Sequence, residues 1–360
     1  MTFHAGSRAV QDRVGVRDIA DHVGQSVGQG IRPVAAAFLE QQPMLVLGAA
    51  DPASGAVWAS LLTGEPGFVR ATGPHQISVR GGLRPDDPLT AALAPQSPSA
   101  EAAALAAGDT YAGVAMPATD GTPAGATAPA TESTSAGAVP RVAEDTLDDS
   151  AAQNPGGAAL PLGGIPVGTI ALDPRTRRRM RLNGRARPTP RGFVVEADQV
   201  FANCPKYLQR RESYETVDRA SAAPRRGSEL TTRQREFIES ADTFFIATVH
   251  GEGADASHRG GNPGFVRADS PGELSWRDYP GNSMFLTLGN LSVDPRAGLL
   301  FLDWTSGAVL QLTGTARTEF DRDGERAVRF AVASVVETPA ASPLTWSAPG
   351  YSAANPTPAR

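Results

Sequence analysis

The chain has 360 residues, 41% of them apolar and 20% charged, and carries a net charge of −5. This is the composition of a globular protein long enough for two domains, and its acidic balance argues against a general nucleic-acid binder. A single cysteine rules out an internal disulfide, five histidines make a poor stock for a structural zinc cage, and no apolar run reaches the length of a membrane span.

The start, "MTFHAGSRAVQDRVG" (1–15), has no basic segment leading into an apolar one, so no secretory leader is expected and a reducing cytoplasm is the expected setting. "FLEQQPMLVLGAA" (38–50) reads as a short helix running into an apolar strand. Strands and a Gly-Pro turn follow in "WASLLTGEPGFVRATGPHQISV" (58–79). From Asp86 to Gly164 the chain is rich in Ala, Pro, Thr and Gly and poor in aromatic and β-branched apolar residues. Such a stretch cannot bury enough surface to offset its ordering entropy, so 86–164 is expected to be a disordered insertion, with a short helix around Leu89–Leu93.

"RTRRRMRLNGR" (175–185) is strongly basic. On a strand, Arg177, Arg179 and Arg181 face one way and Arg178, Met180 and Leu182 the other. The expectation is a solvated face paired with nearby acids; the alternative is an anion-binding surface. In "NCPKYLQRR" (203–211), Pro205 suits a first helical position, which sets Asn203 or Cys204 before the helix and Lys206 and Tyr207 on its first turn. A lysine there opposes the helix dipole and fits a bound anion. The alternative is a surface helix with Tyr207 and Leu208 turned inward. A redox role for Cys204 is a further alternative. Beyond residue 230, "TFFIATV", "ELSWRD", "AGLLFLDW" and "AVLQLTGTARTEF" read as strands, and "NSMFLTLGNLSV" (282–293) as a helix that ends before Asp294 and Pro295. The tail from 341 reads as irregular.

The two halves repeat each other. "GEPGFVRA" (64–71) matches "GNPGFVRA" (261–268), and the match extends without a gap from 58–79 over 255–276. A second block, 167–186 over 297–316, aligns Gly168 with Gly298, Asp173 with Asp303, Leu182 with Leu312 and Gly184 with Gly314. The low-complexity stretch lies between the blocks of the first copy. The copies differ in two places: Ser257, His258, Arg259 and Gly260 stand where the first copy has Ser60, Leu61, Leu62 and Thr63, and 278–290 has no visible counterpart in the first copy. Many short strands with few helices make each copy a small β-barrel.

The segments "DASHRGGNPGFVR", "DYPGNSMFLTLGNLSVDPRAGLLFLDW" and "LQLTGTA" resemble the pyridoxamine 5′-phosphate oxidase-like family of FMN-binding split barrels, over the whole span 230–335. "FHAGSRAVQDRVG" and "NCPKYLQRR" resemble stretches of tandem members. The resemblance implies a mainly β protein with a few helices: two tandem split β-barrels that form an intrachain pseudo-dimer. The first, degenerate barrel would take 1–85 plus 165–215, the second 216–340, with a tail at 341–360. It implies FMN at the seam between barrels, one site per chain, built mainly by the second copy.

A dianionic phosphate calls for a fixed cation, hydroxyls and backbone N–H groups. The candidates are Ser257, Arg259 and Gly260, then Tyr279, Gly281, Asn282 and Ser283 at a helix start, then Thr287 and Asn290 along one helical face. Donors for the ring's N1/O2 edge are His258 and Gln311, and Lys206 and Tyr207 are contributed by the first copy. No metal ligands and no catalytic residues are assigned. The expected partners are a small-molecule substrate and an electron donor such as NAD(P)H, with neither nucleic acid nor membrane and with further homo-oligomerisation open. The alternatives are a non-catalytic flavin- or haem-binding protein and a deazaflavin-dependent reductase. Pyridoxamine phosphate oxidation itself is not expected, because the tail carries no Arg/His substrate motif.

Overall fold

The computed structural model describes residues 3–94, 164–220, 222–251, 253–321 and 325–357. The greater part of the expected insertion, 95–163, lies outside the described residues. The first half carries helices α1 (Ala5–Val14), α2 (Arg17–Gly24), α3 (Pro33–Glu40) and α4 (Thr90–Leu93). Its strands are β1 (Met44–Ala50), β2 (Val57–Thr63), β3 (Val69–Gly73), β4 (Gln76–Arg80), β5 (Ile165–Asp173), β6 (Arg178–Thr189) and β7 (Gly192–Ala202). Two short strands, β8 (Tyr214–Thr216) and β9 (Arg225–Gly227), lead into the second half. There lie α5 (Thr232–Ser240), β10 (Thr243–His250), β11 (Gly253–Gly260), β12 (Val266–Ser270) and β13 (Glu273–Arg277). They are followed by α6 (Leu286–Val293), β14 (Arg296–Leu302), β15 (Val309–Phe320), β16 (Arg326–Thr338) and β17 (Leu344–Trp346).

The two large sheets have the same strand order: β2-β1-β5-β6-β7-β4-β3 in the first half and β11-β10-β14-β15-β16-β13-β12 in the second. This is the mainly β, two-barrel fold expected. The shared octapeptide is a structural element of it. A Cβ at Gly64 would lie 2.6 Å from the ring of Phe68, and one at Gly261 2.6 Å from Phe265. Gly67 and Gly264 take φ of 93° and 87°, a region side chains avoid. Gly184 and Gly314 sit at matching register shifts in β6 and β15, each pressed against a carbonyl of the neighbouring strand.

Two barrel cores form, one around Leu47, Ile77 and Phe193 and the other around Phe244, Leu274 and Phe330. A third apolar cluster joins them, with Val46, Ile170 and Leu172 from one half against Phe245, Ala256 and Leu300 from the other. Glycine sets how closely the halves approach. A Cβ at Gly168 would stand 2.4 Å from the Asp255 backbone, and one at Gly298 2.6 Å from the Trp58 backbone. Where β1 crosses β10, a Cβ at Gly48 would stand 2.6 Å from the Ala247 Cβ.

Two expectations need correction. The segment 278–290 does have a counterpart: α4 occupies the place between β4 and β5 that α6 occupies between β13 and β14. The sequence hid it because only "LT" (89–90 and 286–287) coincides. The tail is not irregular throughout, since β17 pairs with β8 and buries Leu344 and Trp346 in the seam against Trp304. Among the described residues no helix is long and apolar enough to cross a membrane.

Gly168→Ala and Gly298→Ala are each expected to lower stability by about 2–3 kcal/mol, the cost of forcing atoms into a packed interior. Gly73→Ala, where a Cβ meets nothing within 4 Å, should change it by less than about 0.5 kcal/mol. Urea unfolding of the full chain checks this, and equal effects at all three positions would refute close seam packing.

Candidate functional site

The barrel seam holds a polar cavity of about 80 Å³ that opens to solvent. One wall comes from the second half: Ser257, His258 and Arg259 on β11, and the segment from Asp278 to the start of α6. The facing wall comes from the first half: Arg179 and Arg181 on β6, then Asn203, Cys204, Lys206 and Tyr207. Of the sequence candidates, Ser257, His258, Arg259, Tyr279, Gly281, Asn282, Ser283, Thr287, Lys206 and Tyr207 all line it.

Three candidates do not. Gly260 lies beside the cavity, where a Cβ would come within 2.0 Å of the Tyr207 carbonyl, so only glycine lets the 205–208 turn pass. Asn290 faces elsewhere: its amide nitrogen donates to Thr248 at 2.9 Å, and its oxygen bonds His4 at 2.9 Å. Gln311 points into the related position on the other side of the seam, donating to the Ala59 carbonyl at 3.0 Å, the Ser60 hydroxyl at 3.2 Å and Asp87 at 3.0 Å.

Local structure also departs from expectation. No helix forms after Pro205. The chain makes a turn with Tyr207 at φ 64°, because Gln209 is drawn into bonds with the carbonyls of Tyr207 and Gly261 and Arg210 pairs with Gly350. Tyr207 closes the cavity edge, donating to the Pro280 carbonyl at 2.9 Å and packing on Tyr279 at 5.2 Å. Nor does α6 begin at Asn282. Ser283 and Phe285 take φ of 62° and 54° ahead of it, in the left-handed region where backbone strain is stored at sites. The loop is held from outside, because Gln11 on α1 donates to the Met284 carbonyl at 2.9 Å. Helix α1 reaches α6 through glycine: a Cβ at Gly6 would lie 2.3 Å from the Gly289 carbonyl.

The electrostatics are one-sided. Arg179, Arg181, Arg259 and Lys206 line the cavity, against the single carboxylate of Asp278. Arg181, 4% exposed, pairs with Asp255, which also accepts from Asn183 at 3.0 Å. Asp278 is shared between Arg326 at 3.2 Å and Arg259 at 3.5 Å. Burial first, then the neighbouring guanidinium of Arg259, brings Arg179 down to about 10. The same two causes and Arg179 push Arg181 down.

Arg179 donates to Nδ1 of His258 at 2.6 Å. A guanidinium cannot accept, so the imidazole is neutral and its proton sits on Nε2. Burial, then the charges of Arg179 and Arg259, hold the His258 pKa well below its ordinary value. Nε2 is buried and has no partner, and the same is true of Nε in Arg179, Arg181 and Arg259. Buried donors without acceptors are uncommon in proteins, and these four belong to residues that line one cavity.

Sequence reading missed the part played by β6. Arg178 is exposed as expected but lies over the Phe38 ring and not against an acid, whereas Arg179 and Arg181 enter the seam. Strand alternation did place those two on one side; their burial comes from β11, 74 residues from Arg181 at Asp255. Asn203, Cys204, Asp278 and Phe285 were likewise not assigned to the site. Cys204 is exposed, and its carbonyl accepts from Arg179 at 2.7 Å.

The geometry defines a two-barrel protein with one open, cation-lined seam cavity. Residues 230–346 match the family model described as pyridoxamine 5′-phosphate oxidase. No curated protein matches the chain. Among solved structures, HupZ of Group A Streptococcus is 13% identical, covering 29% of this chain and 90% of its own, with a TM-score of 0.24. The FAD binding protein from Mycobacterium smegmatis is 12% identical, covering 31% of this chain and 98% of its own, with a TM-score of 0.24. A nimc/nima family protein from Clostridium acetobutylicum is 15% identical, covering 29% of this chain and 82% of its own, with a TM-score of 0.24.

His258, His4 and His250 all titrate below their ordinary value in the folded chain. The unfolded chain takes up these protons near pH 6.5 and the folded chain does not. Stability should therefore fall as pH drops below about 6.5, with no contribution from these groups above it. His258→Gln should flatten that slope between pH 7.5 and 5.5 in urea unfolding; an unchanged slope would mean that the folded chain protonates His258 freely.

Proposed function

We propose that the protein is an FMN-dependent oxidoreductase with one flavin site per chain, in the seam cavity. The observation that carries this reading is the set of buried, unpartnered donors on His258, Arg179, Arg181 and Arg259, gathered from both barrels around one opening. Such a set fits a ligand with a dianionic phosphate and a planar ring rich in acceptors. Arg259, the Ser257 hydroxyl and the backbone of 281–283 would hold the phosphate. His258, as an Nε2–H donor, and Arg179 would face the ring's N1/O2 edge, where donors stabilise the anionic reduced form. Tyr207 and Tyr279 would flank the ring and exclude water. When bound, FMN supplies electron transfer through its isoalloxazine ring; the chain supplies binding, orientation and charge.

One site per chain follows from the closure of the related position. There Gln311 takes the place of Arg181 and bonds Ser60 and Asp87 directly. Ser60 donates to Asp87 at 2.7 Å, and Leu61 and Leu62 stand where the open site has His258 and Arg259.

The protein purified from its native host should release FMN in a ratio near one per chain, read by absorbance and mass spectrometry. Arg259→Ala and Arg179→Ala should each weaken FMN binding by about tenfold or more, the loss of one charge-assisted contact, with far-ultraviolet circular dichroism unchanged. Release of haem or a deazaflavin, a ratio near two, or full FMN retention in both variants would overturn the reading.

A further inference from the structure

Behind Arg179 the seam cavity adjoins a second opening of different character, with a volume of about 280 Å³. Its floor is apolar: Phe38, Met180, Val200 and Phe201 are all buried, and Val34 at its mouth is 63% exposed. Its charged lining is entirely cationic, with Arg32, Arg178 and Arg179 and no Asp or Glu. Among the described residues no carboxylate pairs with Arg32 or Arg178, although most other surface arginines here do have an acidic partner. The Arg178 guanidinium instead lies over the Phe38 ring at 5.5 Å, at the edge of the apolar floor.

Two glycines help form the wall. Gly28 and Gly30 do not have positive φ, and a Cβ at either would meet nothing closer than 3.6 Å. Neither backbone strain nor crowding requires glycine at these positions, so their effect is to leave the groove unfilled.

We infer that this groove is a binding site for a small organic anion with an apolar body, a medium-chain carboxylate in size and character. The buried phenyl and aliphatic groups would take the apolar body. Arg32 and Arg178 at the mouth would take the carboxylate, for which a planar guanidinium is the matched donor. Because Arg179 lines both cavities, a ligand here would sit against the seam site, as a substrate must. Its role as substrate rests on the flavin reading, whereas binding in the groove does not.

Calorimetric titration of the full chain with decanoate, 1-decanol and decyltrimethylammonium, each below its micelle concentration, tests this. Decanoate should bind at one per chain, at least about tenfold tighter than the cation of equal chain length. Arg178→Glu, on an exposed residue, should weaken decanoate by about tenfold and leave decanol unchanged. Val34→Asp should weaken all three. Equal affinity for anion and cation, decanoate affinity unchanged in both variants, or no decanoate binding at millimolar concentration would overturn the inference. The same titration on Arg259→Ala separates the two readings. Decanoate binding with FMN never taken up overturns the flavin assignment alone, and FMN uptake without decanoate binding overturns the groove alone.

Discussion

The structure depends on how closely two sheets can approach. At Gly168 and Gly298, strands from one barrel lie against the backbone of the other at a distance no side chain would allow. This contact brings β6 of the first half beside β11 of the second, so Arg181 reaches Asp255 and Arg179 reaches His258. A wider seam would separate these pairs and expose the apolar cluster of Phe245, Ile170 and Leu300 to water. Packing and electrostatics thus share one cause: the same glycines that let the barrels dock also crowd the arginines.

The frame is nearly symmetric and the chemistry is not. Both halves offer a strand, a helix after the fourth strand and a facing strand from the partner barrel. On one side these carry arginines and a histidine around an opening; on the other, Gln311, Ser60 and Asp87 satisfy one another. Burial raises the Asp87 pKa, and its carboxyl group accepts from Ser60, Gln311 and the Leu89 amide. Helix α1 adds further asymmetry: it crosses to the second half and supports α6 through Gly6, Ser7 and Gln11.

How much of this was legible in the residues follows from the range of each interaction. The duplicated Gly-Pro-Gly-Phe turn and the paired glycines of the strands were visible because they are local needs of backbone and ring, repeated at a fixed offset. The β11 triplet Ser257, His258, Arg259 stood out because the sister copy has leucines there. The roles of Arg179 and Arg181 were hidden, since strand alternation gives a side and not a neighbour. The start of α6 was misplaced because Asn282 has the chemistry of a helix cap, while Gln11, far away in sequence, holds the Met284 carbonyl and sets a left-handed lead-in. Gln311 was placed correctly on its strand, but symmetry sends it to the opposite side of the seam from the arginine it replaces.

The placement of Arg181 and Gln311 at equivalent points has a consequence for assembly. A homodimer of the first half would build two identical interfaces with arginine facing leucines, and a homodimer of the second half two with glutamine facing histidine. Only the mixed pair brings arginine to histidine. Joining the halves in one polypeptide guarantees that pairing at any dilution, with no sorting among competing subunits. It also frees one interface to drift toward pure adhesion while its twin keeps its polar lining.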